Sequence, residues 1–247
     1  MRLAPTDRVS SPRVRKRQLR TRVQLLKVAH RLMSKQGVDV TTIQEITDAA
    51  DVGFGTFYNY FSSKDDLATQ VLDCVINNLG RRNDAVTQAT RATDPVQIVA
   101  TSMRLVAHEM MSNPMWRWWV KRPDLLVERL RAGLRPFSIR DMRRAIDSGA
   151  YRIIGGDMDT ARSFLVWLLV GGVKDIIDQH RPKEIEPLII ESVMRVMGVP
   201  LDQAKAVSHK KLPAYPGLEI DFSFVAPPPA SAQGSRAVPA AKAKLPA

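Results

Sequence analysis

Apolar residues recur every three or four positions along most of this chain, and that spacing limits the folds open to it. In the first such segment the inward positions are Leu19, Val23, Leu26, His30 and Met33, a pattern that predicts an amphipathic α-helix. Further helices are predicted at about residues 64–82, 95–112, 114–131, 136–149, 157–180 and 183–198. Their starts and breaks coincide with Pro95, Pro114, Pro123, Pro136 and Pro182, as the missing amide donor of proline requires. We predict an all-α body.

The net charge of +12 is concentrated at the two ends of the chain. Residues 1–22 hold eight Lys or Arg and one Asp, and residues 200–247 hold six basic and three acidic residues. The body between them is therefore almost neutral. Basic ends on a neutral body are the distribution expected of a protein that contacts a polyanion such as nucleic acid.

The expected compartment follows from cysteine usage and hydropathy. The single cysteine, Cys74, cannot form an internal disulfide, which indicates a reducing compartment. No apolar run follows the N-terminal charges, as a secretory signal would require. The longest apolar run, residues 164–173, is about half the length of a bilayer span. We therefore expect a cytoplasmic protein without a membrane partner.

Catalytic and metal-binding patterns are not apparent in the sequence. The histidines are scattered, at His30, His108, His180 and His209, without the spacing of zinc ligands. There is no phosphate-binding glycine loop, and Cys74 lies inside a predicted helix, where a small core residue is the ordinary interpretation. An enzyme remains the less favoured class, and we expect no cofactor and no metal.

Two short helices joined by a tight turn are predicted between residues 41 and 61. Thr41 or Thr42 is a candidate N-cap for the helix "TIQEITDAA", since a threonine side chain accepts from the first helical amides. The turn "DVG" separates this helix from the aromatic stretch "FGTFYNYF". A Gly-containing turn between two short helices is typical of a helix-turn-helix, whose second helix enters the major groove of DNA.

The aromatic stretch carries more rings and hydroxyls than one buried face can hold. With Val52, Phe57 and Phe61 directed inward, the other ring and hydroxyl side chains point outward, where they suit base edges and phosphates. The candidate DNA contacts, which include the basic N-terminus, are Arg17, Arg20, Thr42, Gln44, Phe54, Gly55, Thr56, Tyr58, Tyr60 and Lys64. On periodicity alone, the same aromatics fit the core of a small helical bundle equally well.

The segment "TTIQEITDAADVGFGTFYNYFSSKDDL" resembles the DNA-binding signature of the TetR/AcrR family of bacterial transcriptional regulators. The positions that match the family pattern are Gly55, Thr56, Phe57, Tyr58, Tyr60, Phe61, Ser63, Lys64 and Leu67. Gly53 and Phe54 depart from it, because the family usually has a small polar residue and a polar or basic residue there. The resemblance decides between the two interpretations and covers about residues 20–70.

The resemblance implies an N-terminal three-helix helix-turn-helix domain followed by a helical ligand-binding and dimerisation domain. We expect a basic flexible arm at 1–18, the DNA-binding domain at 19–66, the second domain at 67–200 and a Pro/Ala-rich extended or disordered tail at 201–247. The implied partners are double-stranded operator DNA, a second copy of the chain and a small-molecule effector. The implied function is a homodimeric repressor that the effector releases from a pseudo-palindromic operator.

Two sets of residues are candidates for the second domain's functions. Methionine and aromatic side chains suited to an adaptable apolar pocket are Met103, Met111, Trp116, Trp119, Phe137, Phe164 and Trp167. A segment that is apolar nearly all round, and the helix after it, give the dimerisation candidates Leu168, Gly171, Gly172, Leu188 and Val193. For both sets the alternative interpretation is an ordinary helical core.

Basic residues are frequent between positions 117 and 144, next to the apolar candidates. A solvated helix face is the usual role of such a run. The alternative is a site for the head group of an amphipathic anion such as an acyl-coenzyme A or a fatty acid. The stretch "WRWWVKR" also suits a membrane-surface or ligand-carrier protein, which is a less favoured class. In the tail, the alternation of "LEIDFSFV" at 218–225 would let it dock as an extended segment.

Overall fold

The computed structural model describes residues 11–89, 93–215 and 217–226. Its helices are α1 (Pro12–Gln36), α2 (Ile43–Ala49), α3 (Phe54–Phe57), α4 (Lys64–Ala89), α5 (Pro95–Ser112), α6 (Pro114–Val120), α7 (Pro123–Gly133), α8 (Arg135–Asp147), α9 (Met158–Ile177), α10 (Glu186–Val196) and α11 (Leu201–His209). Short 3₁₀ turns lie at Ile154–Gly156 and Lys183–Ile185. The described residues contain no β-strand, and the prediction of an all-α fold is confirmed.

The prolines fix the helix boundaries in the second domain. Each of α5, α6, α7 and α8 has a proline at its first or second position, where a missing amide donor leaves no hydrogen bond unmade. The single helix predicted at 114–131 is wrong, because it is two helices. The chain leaves helical geometry at Arg122, since the residue before a proline is sterically disfavoured in the α conformation.

Helix α1 begins earlier than the sequence pattern predicted. Ser11 is its N-cap, with the hydroxyl accepting from the Val14 amide at 3.4 Å, and Pro12 stands at the first helical position. The flexible arm expected at 1–18 is therefore wrong for residues 12–18, which are helical and exposed. Residues 1–10 of that arm lie outside the described residues.

The N-terminal domain packs α1, α2 and α3 around a small core. Leu25 and Leu26 of α1, Ile46 of α2 and Phe57 of α3 are fully buried, and Phe61 closes the core just after α3. The long helix α4 then leaves this domain and packs against α1 at one end and α5 and α7 further along. Helices α5 and α7 to α10 form the second domain around it.

The chain after residue 200 is more ordered than predicted. Helix α11 packs on α10 and α5, so the extended or disordered tail predicted at 201–247 is wrong for its first part. Residues 210–215 and 217–226, which we call the C-terminal segment, then run along α4 without helix, with a turn at 222–223 and with Phe222 buried. The predicted docking of residues 218–225 is thereby confirmed, whereas residues 227–247 lie outside the described part.

Two further findings bear on the class of protein. Within the described ranges, no helix is long and apolar enough to cross a bilayer. The same ranges hold no cluster of three or more His, Cys, Asp or Glu side chains able to bind a metal ion.

Candidate DNA-contacting surface and ligand cavity

A reciprocal cap fixes the start of α2. The Thr42 hydroxyl accepts from the Glu45 amide at 3.1 Å, and the Glu45 carboxylate accepts from the Thr42 amide at 2.8 Å. The Thr42 amide lowers the pKa of Glu45, because a hydrogen bond to the carboxylate favours its charged form. Thr42 and Gln44 are both exposed at this helix start, although the Gln44 amide donates to Asp48 at 2.6 Å.

The turn into α3 relies on the backbone alone. Asp51 adopts a positive φ of 52°, and the Val52 amide donates to the Thr47 carbonyl at 3.1 Å. Gly53 is the N-cap of α3 without a side-chain hydrogen bond. The absent polar cap leaves the first amides of α3 unblocked by a side chain, which suits a helix start that approaches a phosphate.

Helix α3 has one buried and one exposed aromatic face. Phe57 and Phe61 are buried with their rings 5.6 Å apart. Phe54 and Tyr58 are 47% and 51% exposed, and their rings meet edge to face at 5.8 Å. Gly55 adds no bulk beside them, and Thr56 and Tyr60 are partly exposed. This arrangement presents a rigid apolar ring and a phenol hydroxyl to solvent.

Lys64 was predicted to contact DNA, but in the structure its side chain binds the backbone of the same domain. Its ammonium donates to the carbonyls of Val38, Asp39 and Thr41 at 2.9, 3.1 and 3.0 Å. Three donors are all that an ammonium has, so the expected phosphate contact is wrong for this geometry. Lys64 instead joins the start of α4 to the loop between α1 and α2. Arg17 and Arg20 remain exposed on α1.

A partly open cavity of about 90 Å³ lies in the second domain between α4, α5, α7, α8 and α9. Its walls are mostly apolar: Gly80, Val99, Met103, Val106, Leu130, Leu134, Phe137, Met142, Leu165, Val166 and Leu169. Polar side chains lie among them: Asn83, Asp84, Ser102, Ser138, Asp141 and Arg162. An apolar chamber with a few convergent polar groups is the usual form of a small-molecule site.

Two arginines organise the polar side of this cavity. Arg140 donates to both oxygens of Asp84, one of them at 3.1 Å, and to Asp141 at 2.9 Å. These carboxylates raise the pKa of Arg140. Arg162 is nearly fully buried and donates to the Arg131 carbonyl at 2.9 Å and the Ser138 hydroxyl at 3.1 Å. Burial lowers the pKa of Arg162, because a low dielectric disfavours its charge.

The Arg162 guanidinium is incompletely satisfied. Its Nε is buried without a hydrogen-bond partner among the described residues, and Asp159 is 3.7 Å from it. A buried charged group that lacks part of its hydrogen bonding is costly unless another acceptor reaches it. The cavity therefore has a donor-rich side at Arg162 and an acceptor-rich side at Asp84 and Asp141.

Only two of the predicted pocket residues, Met103 and Phe137, line this cavity. Trp116 and Trp119 are fully buried in α6, which packs against α1, α5 and α7, so the prediction was wrong for them. It was also wrong for Met111, which lies outside the lining residues, and for Phe164 and Trp167, which are exposed on α9. Helical spacing identified large apolar side chains without distinguishing a filled core from a chamber.

Several cavity residues were missed in the sequence. Asn83, Asp84 and Asp141 are polar residues on amphipathic helices and gave no distinguishing pattern. Arg162 did have a distinguishing pattern, because it is the lone basic residue at the start of the mostly apolar segment "ARSFLVWLLV". Gly80 lies inside α4, where a glycine is unfavourable unless packing requires it.

An exposed apolar face extends over α9 and α10. It consists of Phe164, Trp167, Leu168, Gly171, Leu188 and Val196. Gly172 and Val193, also predicted for dimerisation, lie elsewhere. Val193 is fully buried, and a Cβ on residue 172 would lie 2.7 Å from the Ile189 side chain. Gly172 therefore packs α9 against α10, and Val193 belongs to the core of one subunit.

Family models match both domains. The model of bacterial regulatory proteins of the tetR family matches residues 25–71, and the tetracyclin repressor-like C-terminal domain matches residues 94–210. The HTH-type transcriptional regulator AcrR of Shigella flexneri is 37% identical over 79 residues, 32% of this chain and 36% of AcrR. The HTH-type transcriptional repressor KstR2 of Rhodococcus jostii is 27% identical over 82 residues, 33% of this chain and 40% of KstR2. The matched segment thus spans well under half the length of these relatives.

Among solved structures, RolR in complex with the ligand resorcinol has a TM-score of 0.74 and 25% sequence identity, over 82% of this chain and all of RolR. RolR without ligand has a TM-score of 0.68 and 26% identity, over 78% of this chain and 99% of RolR. The two family models together account for about two thirds of the sequence. The chain belongs to the TetR family of bacterial transcriptional regulators, which are not enzymes.

Proposed function

We propose that this protein is a homodimeric repressor that binds a pseudo-palindromic operator and is released from it by a small aromatic ligand with hydroxyl groups. The observation that carries the proposal is the pairing of two features in one subunit. An exposed ring-and-hydroxyl face lies on α3 of the N-terminal domain, and a mostly apolar cavity with a few polar side chains lies against α4, the helix that leaves that domain.

The DNA contacts follow from the exposed residues of the N-terminal domain. Phe54 is suited to a thymine methyl group, and the hydroxyls of Tyr58 and Tyr60 are suited to phosphates. Gly55 leaves room for close approach, and Thr56 reaches either a base edge or a phosphate. Arg17, Arg20, Thr42 and Gln44, exposed on the two preceding helices, supply the remaining contacts. Lys64 is excluded from this set, because its ammonium is committed to backbone carbonyls.

The homodimer is proposed from the exposed face of α9 and α10. Trp167, Leu168 and Leu188 are large apolar side chains that a single subunit leaves in contact with water. Several large exposed apolar side chains on two helices that pack together favour an association surface. Two copies related by a two-fold axis would bury it and would present two α3 helices to successive major grooves, so the operator is expected to be roughly palindromic.

The ligand class is proposed from the cavity. Its volume of about 90 Å³ is small, and its two carboxylates accept hydrogen bonds from hydroxyl donors. RolR, a relative with 25% identity and full-length coverage, binds resorcinol. A dihydroxybenzene combines a flat apolar ring with hydroxyl donors that can share the Asp84 and Asp141 carboxylates with Arg140.

The acyl-coenzyme A or other amphipathic anion expected from the sequence is a weaker candidate. Three of the basic side chains that suggested it are paired with carboxylates: Arg129 with Asp73, Arg135 with Asp159 and Arg140 with Asp84. A paired arginine offers less of its charge to a phosphate or carboxylate head group. The long acyl chain would also need more volume than the cavity has.

One experiment in two stages tests the proposal. Selection of bound duplexes from a random pool should return a pseudo-palindrome, and sequence-blind, salt-sensitive binding alone would contradict the proposed readout. The selected operator is then titrated with protein in the presence of resorcinol, catechol, phenol or decanoyl-coenzyme A. We expect resorcinol-like diols to weaken operator binding and decanoyl-coenzyme A to have no effect. The reverse ranking would replace the proposed ligand class with the amphipathic one.

A further inference from the structure

The C-terminal segment contacts the cavity wall at one end and the DNA-binding domain at the other. Apart from Lys210, it lies beyond residues 94–210, the part of the chain that the family model of the second domain matches. Along its course it touches α4 repeatedly and reaches α1. Three sets of contacts define this path.

The first contact joins the segment to the cavity. The Tyr215 hydroxyl donates to Asn83 Oδ1 at 2.9 Å, and Asn83 is one of the polar residues that line the cavity. The Arg82 guanidinium lies over the Tyr215 ring, 3.6 Å from its centroid. The Tyr215 ring is fixed by the Arg82 guanidinium, and its hydroxyl donates to the Asn83 side-chain oxygen. Together these contacts favour one orientation of the Asn83 side chain. Tyr215 therefore positions the Asn83 amide within the cavity wall.

The second contact holds the middle of the segment on α4. The Asn78 amide nitrogen donates to the carbonyls of Leu218 and Glu219 at 3.2 and 3.1 Å. Asn78 is nearly fully buried, so these bonds replace the water that its amide would otherwise need. Cys74, one turn earlier, places its Sγ 3.7 Å from the Phe224 carbonyl. The segment is thus fastened to the same helix that carries Asn83.

The third contact reaches the DNA-binding domain. Phe222 is buried, and its ring centroid lies 5.4 Å from that of His30 on α1. Burying a phenylalanine ring stabilises the contact relative to leaving the ring in water. An ion pair between Lys27 and Glu219 at 3.6 Å accompanies it, but exposed pairs contribute little. Phe222 therefore packs the segment onto α1 while Asn78 holds it on α4.

We propose that the C-terminal segment is a coupling element, which links ligand occupancy at Asn83 to the position of α1 relative to α4. The inference rests on the proposed ligand cavity. A ligand that hydrogen-bonds to the Asn83 amide changes the free energy of the Tyr215 contact, and the Phe222 contact responds because both belong to one short segment. Only such a difference in interaction between two states can transmit a ligand's effect.

A ligand-free experiment tests the coupling by itself. Full-length Phe222→Ala, Tyr215→Phe and Val225→Ala are compared by amide hydrogen exchange. Val225 is the matched control, because it lies on the same segment and is exposed. We expect Tyr215→Phe to raise exchange at least threefold in α1 near His30, and Phe222→Ala to do so in α4 near Asn83. Changes confined to the immediate surroundings of each substitution would overturn the proposal.

A second measurement compares operator affinity with and without saturating resorcinol. We expect the factor by which resorcinol weakens binding to fall at least threefold in Phe222→Ala and Tyr215→Phe and to stay unchanged in Val225→Ala. An unchanged factor in both test variants would overturn the coupling role. If resorcinol leaves operator binding of the unmodified protein unaltered, the ligand class is wrong, and the hydrogen-exchange result still decides the coupling. Tyr215→Phe keeps the test valid if Phe222→Ala fails to fold.

Discussion

Gly80 of α4 faces the ring of Phe137 of α8 so closely that no larger residue fits at position 80. A Cβ built there would lie 2.7 Å from the Phe137 Cζ atom, and nearer still to two other ring carbons. Both residues line the cavity. The absence of a side chain on α4 is therefore what lets Phe137 stand beside the chamber without filling it.

Gly80→Ala is expected to abolish the ligand response and to preserve operator binding. The new methyl group forces the Phe137 ring to move, and the open side available to it is the cavity of about 90 Å³. Isothermal titration calorimetry should show a loss of at least about tenfold in resorcinol affinity, or about 1.4 kcal/mol. Gly217→Ala is the control, because its added Cβ meets no atom within 4 Å. Normal ligand affinity in Gly80→Ala would show that the ligand binds elsewhere.

The fold was more predictable from the sequence than the cavity, for a physical reason. Helical periodicity and proline position are local properties, so α5, α9 and the inward set Phe57 and Phe61 were predicted correctly. Whether Trp116 packs against other side chains or borders a void depends on helices far apart in the sequence. Position 80 requires a glycine because the Phe137 ring of another helix lies against it. No local sequence pattern contains that contact.

Lys64→Met and Arg17→Ala are expected to have opposite effects on stability and on DNA binding. Lys64→Met removes the donor to three backbone carbonyls and should cost about 2 kcal/mol of unfolding free energy. For Lys64→Met, the slope of log K for operator binding against log salt concentration should equal that of the unmodified protein. Arg17→Ala removes an exposed charge, so stability should stay unchanged while the slope of log K against log salt decreases by about 0.9. A lower salt slope in Lys64→Met would show that its ammonium turns to phosphate on binding.

Tyr58→Phe and Phe54→Ala are expected to separate affinity from sequence preference. Removing the Tyr58 hydroxyl should weaken binding to all duplexes alike, by about fivefold for a lost hydrogen bond of about 1 kcal/mol. Phe54→Ala should change which base is preferred at one position of each half-site. Competition among operator duplexes that differ at single base pairs measures this preference. Since the two rings are in edge-to-face contact, Phe54→Leu serves as a control that keeps apolar bulk. An equal loss on every operator for Phe54→Ala would remove it from base readout.

Asp73 is expected to make stability fall as the pH rises through the weakly acidic range. Burial raises the pKa of Asp73 to about 6, despite the Arg129 guanidinium 3.1 Å away. The folded state therefore binds this proton more tightly than the unfolded chain, and the stabilisation is complete below about pH 4 and lost as pH passes 6. The unfolding free energy of the unmodified protein minus that of Asp73→Asn should drop by about 2 kcal/mol between pH 4 and pH 7. A rising difference for Asp73 would mean that the ion pair outweighs burial.

Leu188→Asp is expected to separate the proposed homodimer into folded monomers. Leu188 is 53% exposed on α10, a helix that packs against α9, and burying an unpaired carboxylate in an apolar interface costs several kcal/mol. Sedimentation at micromolar concentration should give half the mass, and operator affinity should fall more than tenfold, because one α3 helix then reads a single half-site. Leu125→Asp is the matched control, since Leu125 is a leucine with 52% exposure on α7. Circular dichroism should report the same helix content for both variants. If Leu188→Asp stays dimeric and keeps full operator affinity, the association surface does not lie on α9 and α10.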